Sequence, residues 1–233
     1  MVATVSTIIQ DLVEMGMDRF SVSVKGVLEV GDKFLLRKNE RCEYELLGGR
    51  LDKGDLTAEH RLITEFDEES GIRVEVLEHR EPWLYEIGLK NIMIIPFVCN
   101  ALSIPEMMVD EDGGTLHWLT ISEALAAFMP QGYKDTISGI VPHKSYSIPA
   151  KFFFKIIPNY IERDYYIEVC VRNSGAELLR LSLRHFHSPR DFIISHMGEE
   201  YKDAKLVSEP ISIDYNRDTI TLNYKVVLPY ETE

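Results

Sequence analysis

Three glutamates lie close together in one predicted helix. Glu65, Glu68 and Glu69 are spaced i, i+3 and i+4, so a helix places their carboxylates on one face, about one turn apart. Clustered anions repel each other, and a hard divalent cation such as Mg²⁺, which takes oxygen ligands, supplies the missing counter-charge. The spacing favours a metal site, although a solvated acidic helix face would show the same pattern.

A glycine-rich segment precedes this helix. Gly48 and Gly49 can bring backbone N–H groups close to a phosphate, because glycine has no side chain to obstruct the approach. Arg50 and Lys53 follow, and both cations suit phosphate oxygens. Gly49, Arg50 and Lys53 are therefore candidate substrate-binding residues for a diphosphate that metal ions hold against the glutamates.

The segment from Gly49 to Ile72 resembles the signature of the Nudix hydrolase family, G-x5-E-x7-R-E-U-x-E-E-x-G-U, in which U is bulky and aliphatic. The second half, EFDEESGI at residues 65–72, matches closely, with Phe66 at a U position. The first half also fits, since five residues separate Gly49 from an acid. This resemblance covers roughly residues 18–141 once the features described below are included.

The resemblance implies a mixed α/β/α sandwich that hydrolyses the pyrophosphate linkage of a nucleoside diphosphate derivative with Mg²⁺ or Mn²⁺. The substrate would be a nucleoside triphosphate, a nucleotide sugar, a dinucleotide or ADP-ribose. Glu65, Glu68 and Glu69 would be metal ligands, and Glu65 and Glu68 would have catalytic roles as the base or the group that orients it.

Three departures from the signature leave a second function open. Asp55 replaces the first glutamate, eight residues instead of seven follow it, and Thr64 stands where the family has an arginine that orients a catalytic glutamate. Arg61, four residues before Glu65, is the candidate substitute for that arginine. The alternative function is a nucleotide-binding sensor of Nudix type that cleaves weakly or not at all.

An acidic loop, DEDGG at residues 110–114, precedes the short apolar run Leu116–Leu119, which includes Trp118. In several members of the resembled family such a loop supplies the catalytic base or another metal ligand. Glu111 is our candidate for this role and Asp112 the alternative. A solvated acidic turn explains the same residues without any chemistry.

The sequence also predicts the elements that position these residues, in an α/β fold. Thr57 is expected to N-cap the glutamate helix over residues 58–70, and Gly71 to end it. Other helices are expected at Ile121–Phe128, with Ser122 as N-cap, and at Tyr133–Ile140. The predicted strands are Phe20–Val30, Lys33–Arg37 after a turn at Gly31-Asp32, Tyr44–Leu47, several within 73–100, and Leu116–Leu119.

Composition changes near a proline- and serine-rich stretch at 141–149 and predicts three parts. These are an amphipathic helix at 1–17, a Nudix-like domain at 18–145 and an all-β accessory domain at 150–233. A third possible function is oligomerisation or partner binding by this last domain, through an open edge at Thr219–Leu228. Its predicted strands are Lys151–Ile157, Tyr165–Arg172, Glu177–Phe186, Phe192–His196, Ile211–Tyr215 and Ile220–Pro229.

Charge and composition narrow the choice of partner. The net charge is −13, and residues 1–149 hold 14 Lys and Arg against 25 Asp and Glu, which argues against nucleic-acid binding. No run of eighteen apolar residues predicts a membrane span. Three widely separated cysteines match neither a disulfide framework nor a zinc site and favour the cytoplasm. We expect a small nucleotide as the partner, and a homodimer remains open because many relatives are dimers.

Other side chains are weaker candidates. His185 and His187 lie two apart on a predicted strand and would share a face, but no third metal ligand accompanies them. Trp83, Tyr85 and His117 could contact a nucleobase, although hydrophobic packing is the commoner use of aromatic side chains.

Overall fold

The structure is a computed structural model. It describes residues 19–87, 90–106, 108, 110, 114–142, 144–146, 164–184, 187–207 and 209–229. The predicted helix at 1–17 and the predicted strand Lys151–Ile157 lie outside the described residues. So does Glu111, the residue predicted to be a base.

The chain divides into two compact units. The first runs from Ser21 and, among the described residues, ends at Tyr146. The second contains Arg19 and Phe20 together with the described residues from Asp164 onward. Each unit has its own sheet pairing and its own buried apolar side chains, and all the candidate site residues belong to the first.

The described residues of the first unit form eight strands and three helices. Its strands are β1 (Arg19–Val30, counted from Ser21), β2 (Lys33–Lys38), β3 (Tyr44–Glu45), β4 (Arg73–His79), β5 (Trp83–Ile87), β6 (Lys90–Ser103), β7 (Thr115–Thr120) and β8 (Lys144–Tyr146). Its helices are α1 (Ala58–Ser70), α2 (Ile121–Ala126) and α3 (Gln131–Ile137).

Strand pairing in this unit is mixed. β1 runs parallel to β6 over eight residue pairs, from Ser21–Ile92 to Leu28–Cys99. β6 pairs antiparallel with β4 and β5, and β5 runs parallel to β8. β2 pairs antiparallel with β1, β3 and β7. The mixed α/β class predicted from the sequence is confirmed.

Helix α1 forms where the sequence predicts it. The Thr57 hydroxyl accepts the backbone N–H of His60 at 3.1 Å, which satisfies one of the free donors at the helix start. Gly71 ends the helix in the left-handed region at φ 69°, and its N–H donates to Asp67 O at 2.8 Å. Both predicted caps are present.

A glycine sets how closely α1 packs on the sheet. Phe66 of α1 is fully buried, and a Cβ atom at Gly26 of β1 would lie 2.3 Å from its ring. Leu62, also fully buried, extends the same face of the helix. The glutamates adjacent to Phe66 are therefore held close to β1.

The N-cap of α2 differs from the prediction. Thr120, not Ser122, caps this helix, and its hydroxyl accepts the N–H of Glu123 while the Glu123 carboxylate accepts the N–H of Thr120. This reciprocal capping box satisfies two donors at once, which a cap at Ser122 would not. The helix ends at Ala126, two residues before Phe128.

The second unit is mainly a sheet. The strands are β9 (Tyr165–Asn173), β10 (Ala176–Ser182), β11 (Lys205–Leu206), β12 (Ser212–Asn216) and β13 (Thr219–Val227). β9 pairs antiparallel with β10 and parallel with β13, and β13 pairs antiparallel with β11 and β12. A turn at Ser174-Gly175 connects β9 to β10, with both residues at positive φ.

Two expectations for this unit are wrong. The predicted strand Phe192–His196 belongs to a helix, α4 (Pro189–His196), because Ser188 caps it and Pro189 fits its first position. The unit is therefore not purely β. The predicted open edge at Thr219–Leu228 also fails, because β13 has β9 on one side and β12 on the other.

Among the described residues, no helix has the length and apolar character needed to cross a membrane.

Candidate active site

The three glutamates of α1 do not share one environment. Glu65 and Glu69 are buried, with 6% and 5% of their surface exposed, whereas the side chain of Glu68 is 52% exposed. The first two lie on the helix face that also buries Leu62 and Phe66. Glu68 lies at the edge of that face, toward solvent.

The glycine segment runs along β1. The N–H of Val24 donates to Gly49 O, and the N–H of Leu51 donates to Val22 O, both at 2.9 Å. The Ser23 hydroxyl also donates to Gly49 O at 3.1 Å. These bonds hold residues 47–51 as a short extended segment between β1 and the glutamates of α1.

Gly48 connects this segment to Glu69. Its N–H donates to Glu69 Oε2 at 2.8 Å, and its carbonyl accepts a hydrogen bond from the buried Lys25 ammonium. Gly48 adopts φ 124°, and a Cβ there would lie 2.3 Å from Val24 O. Position 48 therefore requires glycine for both conformation and space.

Gly49 lies directly against Glu65. A Cβ atom at position 49 would lie 1.8 Å from Glu65 Oε1 and 2.2 Å from its carboxyl carbon. The Glu65 carboxylate thus occupies the space that any other residue at 49 would fill. Two consecutive glycines bring the backbone into contact with two carboxylates of one helix.

Arg61 contacts two of the three glutamates of this helix, Glu65 and Glu68. Its Nη2 hydrogen-bonds Glu65 Oε1 and lies 3.8 Å from Glu68 Oε2. Thr64, which stands where the signature has arginine, instead donates its hydroxyl to His60 O at 3.0 Å. The arginine one turn earlier therefore makes the carboxylate contact that the residue at 64 does not.

The residues between the glycines and the helix form a turn of their own. Asp55 accepts the N–H of Asp52 at 2.7 Å, and its own N–H donates to Asp52 O at 2.9 Å. Arg50 Nε lies 4.0 Å from Asp52 Oδ1, and Lys53 is exposed in the turn. The substrate-binding roles of Arg50 and Lys53 remain predictions.

Four charged residues join the site without having been singled out from the sequence. Arg37 of β2 donates from Nε to Asp110 Oδ2 at 2.6 Å, and the same atom lies 3.5 Å from Glu69 Oε1. Arg37 Nη1 also reaches Glu45 Oε1 at 3.3 Å. Lys25 Nζ lies 3.6 Å from the other oxygen of Glu45.

The sequence carried partial signals for these residues. Lys25 lies on an alternating strand beside buried Val22 and Val24, where a charged residue is unusual. Asp110 begins the acidic loop that was predicted to serve the site. Arg37 and Glu45 gave no signal, because ion pairs between strands depend on a register that the sequence does not specify.

Burial dominates the electrostatics of the helix carboxylates. It raises the pKa of Glu69 to about 7, and the nearby negative charge of Glu65 adds to this, although Lys25, the Gly48 N–H and Arg37 act in the opposite direction. Burial also raises the pKa of Glu65 against the opposing charges of Arg61 and Lys25. Glu45 differs, since Lys25, Arg41 and Arg37 outweigh its burial and lower its pKa.

Carboxylates outnumber cations in the ion pairs recorded for the described residues of this cluster. Three cations contact five carboxylates. The cations are Lys25, Arg37 and Arg61, and the carboxylates are Glu45, Glu65, Glu68, Glu69 and Asp110.

The described residues contain no preformed metal site. Nowhere among them are three or more His, Cys, Asp or Glu side chains grouped closely enough to hold an ion. Glu65 faces Arg61, and Glu69 faces the Gly48 N–H and Arg37. The donor chemistry nevertheless fits a hard divalent cation, since the donors are carboxylate oxygens.

The weaker candidates have structural explanations. Trp83 and Tyr85 are buried and pack edge-on against Tyr133, with ring centroids 5.0 and 6.1 Å from it. His117 stacks edge-on with Tyr44 at 5.4 Å. His187 packs against the Phe192 ring, and its proposed partner His185 lies outside the described residues.

No family model matches this sequence, and no curated protein matches it. Solved structures do resemble it, and they include a MutT protein, a Nudix hydrolase and an ADP-ribose pyrophosphatase. A MutT protein from Bacillus halodurans is 20% identical, over 56% of this chain and 92% of that chain, with a TM-score of 0.45.

Two further neighbours have similar values. A Nudix hydrolase from Nitrosomonas europaea is 20% identical over 49% of this chain and 79% of that chain, with a TM-score of 0.42. An ADP-ribose pyrophosphatase from Streptococcus suis is 17% identical over 51% of this chain and 87% of that chain, with a TM-score of 0.39.

Proposed function

We propose that this chain is a metal-dependent pyrophosphohydrolase of Nudix type, which cleaves the P–O–P bridge of a nucleoside diphosphate derivative. The observation that carries the proposal is the packing of Gly48 and Gly49 on the carboxylates of Glu69 and Glu65. The two halves of the signature-like segment therefore meet in space, with backbone N–H groups and carboxylates side by side.

The proposed cofactor is Mg²⁺ or Mn²⁺. Glu65, Glu68 and Glu69 would hold it, and the clustering of these carboxylate oxygens on one helix supports a hard divalent ion. When bound, the metal supplies polarisation of a phosphoryl oxygen and a water that is easier to deprotonate.

The chain's own residues have separable roles in this proposal. Arg61 orients Glu65 and Glu68, since it contacts both carboxylates. The Gly48 N–H fixes one oxygen of Glu69. Lys53, in the turn Asp52–Asp55, and Arg50, just before it, would bind phosphate oxygens. A base from the acidic loop, with Glu111 as the candidate, completes the proposal.

The second candidate function is a nucleotide sensor that does not turn over its ligand. Two observations favour it. Asp55, the shortened first acid, is engaged by the N–H of Asp52, and Thr64 bonds back to its own helix. Neither contributes to the carboxylate cluster in the way that the signature residues would.

The partner is proposed to be a small nucleotide in either case. The acidic charge of the chain supports this over nucleic acid, which requires a basic surface. A cytoplasmic location and a homodimer remain predictions.

Turnover assays separate the two functions. The purified chain is incubated with Mg²⁺ or Mn²⁺ and nucleoside triphosphates, nucleotide sugars, dinucleotides or ADP-ribose, and product nucleotides are measured. We expect one class to be cleaved, and Glu68→Gln and Glu69→Gln to abolish cleavage. Asp67→Asn is the matched control, because Asp67 is an exposed carboxylate of the same helix.

Absence of turnover in the whole panel would exclude the hydrolase. Thermal stabilisation by one of the same nucleotides would then support the sensor. Equal turnover by wild type and both glutamate variants would place the chemistry elsewhere in the chain.

A further inference from the structure

Arg37 lies where three carboxylates from different parts of the first unit meet. Its Nε contacts Asp110 at 2.6 Å and Glu69 at 3.5 Å, and its Nη1 contacts Glu45 at 3.3 Å. The Arg37 side chain is 12% exposed, and that of Asp110 is 1% exposed. The contacts are thus largely shielded from water. Charge interactions are stronger in such a buried position than at the protein surface.

The backbone near Asp110 is fitted to this arginine. A Cβ atom at Gly114 would lie 2.3 Å from Asp110 Oδ2 and 2.9 Å from Arg37 Nε. The backbone at Gly114 therefore approaches the ion pair more closely than any other residue would permit. This close packing fixes the Asp110 carboxylate from one side while Arg37 fixes it from the other.

We infer that Arg37 is a positioning residue for the hydrolysis, which sets the Asp110 carboxylate relative to the Glu69 carboxylate of α1. The inference rests on the proposed function. Arg37 itself need not touch substrate, because it acts through two carboxylates that differ in origin: Glu69 belongs to the helix, and Asp110 precedes β7.

The geometry requires arginine in particular. The guanidinium is planar and carries five donors in a fixed arrangement, so that one group can face several carboxylates at defined angles. Without it, the buried Glu69 and Asp110 charges would repel each other and separate. A lysine would provide the charge but not the two-sided contact.

The test compares Arg37→Met and Arg37→Lys with Arg80→Met. Arg80 is a suitable control because it is a partly buried arginine of the same unit that pairs with Glu78 at 3.2 Å, directly after β4. Each variant is assayed for kcat and KM on the cleaved substrate, and for Mn²⁺ affinity by electron paramagnetic resonance without substrate. Unfolding temperature serves as the folding control.

We expect Arg37→Met to lower kcat or Mn²⁺ affinity by about 10- to 100-fold, as groups that orient metal ligands do, while KM changes little. Arg37→Lys should recover only a small part of this loss, and Arg80→Met should behave as wild type. The inference would be overturned if Arg37→Met kept wild-type kcat and Mn²⁺ affinity. Full recovery in Arg37→Lys, or an equal loss in Arg80→Met, would also overturn it.

If Arg37→Met does not fold, Asp110→Asn takes its place, because it removes the charge and keeps the side-chain shape. Wild-type kcat and Mn²⁺ affinity in that variant would also overturn the inference. A wild-type chain that neither binds Mn²⁺ nor cleaves any substrate is a separate outcome, which rejects the proposed function and with it the role of Arg37.

Discussion

The Glu65 carboxylate occupies the space where Gly49 would carry a side chain, with 1.8 Å between Oε1 and the position of a Cβ. This contact joins the glycine segment to α1 at the residue that the signature assigns to metal binding. The position of Glu65 therefore depends on the residue type at 49 as much as on the helix.

We predict that Gly49→Ala displaces Glu65 and lowers turnover by about a hundredfold, because a shift of about 1 Å at a reacting group has that effect. Overpacking should also lower the free energy of unfolding by about 1–3 kcal/mol. Steady-state kinetics and thermal unfolding measure the two effects.

Gly54→Ala is the matched control. Gly54 lies in the same segment, and a Cβ there meets nothing within 4 Å. Its activity and stability should stay near those of wild type. A similar loss in both variants would show that the segment tolerates no added bulk, and would remove the specific role of the contact with Glu65.

Arg61 and Thr64 provide a second comparison. We predict that Arg61→Ala lowers activity by about 10- to 100-fold, because Glu65 and Glu68 lose their shared partner. Thr64→Ala should stay within about twofold of wild type, since its hydroxyl bonds only to its own helix. If Thr64→Ala lost more activity than Arg61→Ala in kinetic assays, position 64, and not position 61, would be the functional one.

Glu69 gives the metal-free protein a pH dependence. Its folded-state pKa is raised to about 7 from the usual 4.5, chiefly by burial, so the folded chain binds this proton more tightly than the unfolded chain. The resulting stabilisation is complete below pH 4.5 and is lost as the pH rises through about 7. Its full size is about 3 kcal/mol.

Glu69→Gln should remove this dependence, because the amide keeps an acceptor for the Gly48 N–H and does not ionise. Urea unfolding with a chelator at pH 5 and pH 8 measures it: wild type should lose stability between the two values, and the variant should lose less. If wild type and Glu69→Gln lost the same free energy of unfolding between pH 5 and pH 8, Glu69 would not titrate in this range. Added Mg²⁺ should stabilise wild type more at pH 8.

The three cysteines should differ in reactivity. Cys42 is exposed, whereas burial raises the pKa of Cys99 to about 12 and also raises that of Cys170. Because the thiolate is the reactive form, an aromatic disulfide reagent should label Cys42 rapidly and the other two only after denaturation. Cys42→Ser should remove the fast phase. Rapid labelling that persists in this variant would contradict the buried positions.

The elements with local signals were predictable from the sequence, and those that depend on tertiary contacts were not. Helix α1 follows from its cap residues and spacing, since Thr57 and Gly71 act within a few residues. Helix α4 was not predicted, because the apolar run Phe192–Ile194 is typical of a strand and was given more weight than the adjacent cap residue and proline. In the structure the Ser188 cap and Pro189 favour a helix over the strand propensity of that run.

The site divides in the same way. Glu65, Glu68 and Glu69 could be named from spacing, but spacing did not show that Glu68 is exposed while the other two are buried. Arg37 is 32 residues away from Glu69 in sequence, and it reaches Glu69 from β2, which pairs with β1 and β3. Contacts of that kind require the strand register.

Lys25 and Arg37 have a consequence for folding. Both side chains act on the Glu69 carboxylate and offset part of the repulsion among the glutamates of α1 once β1, β2 and the helix have come together. The chain thus supplies part of the neutralising charge from its own side chains. We therefore expect a newly made chain to reach its folded form before it binds any ion.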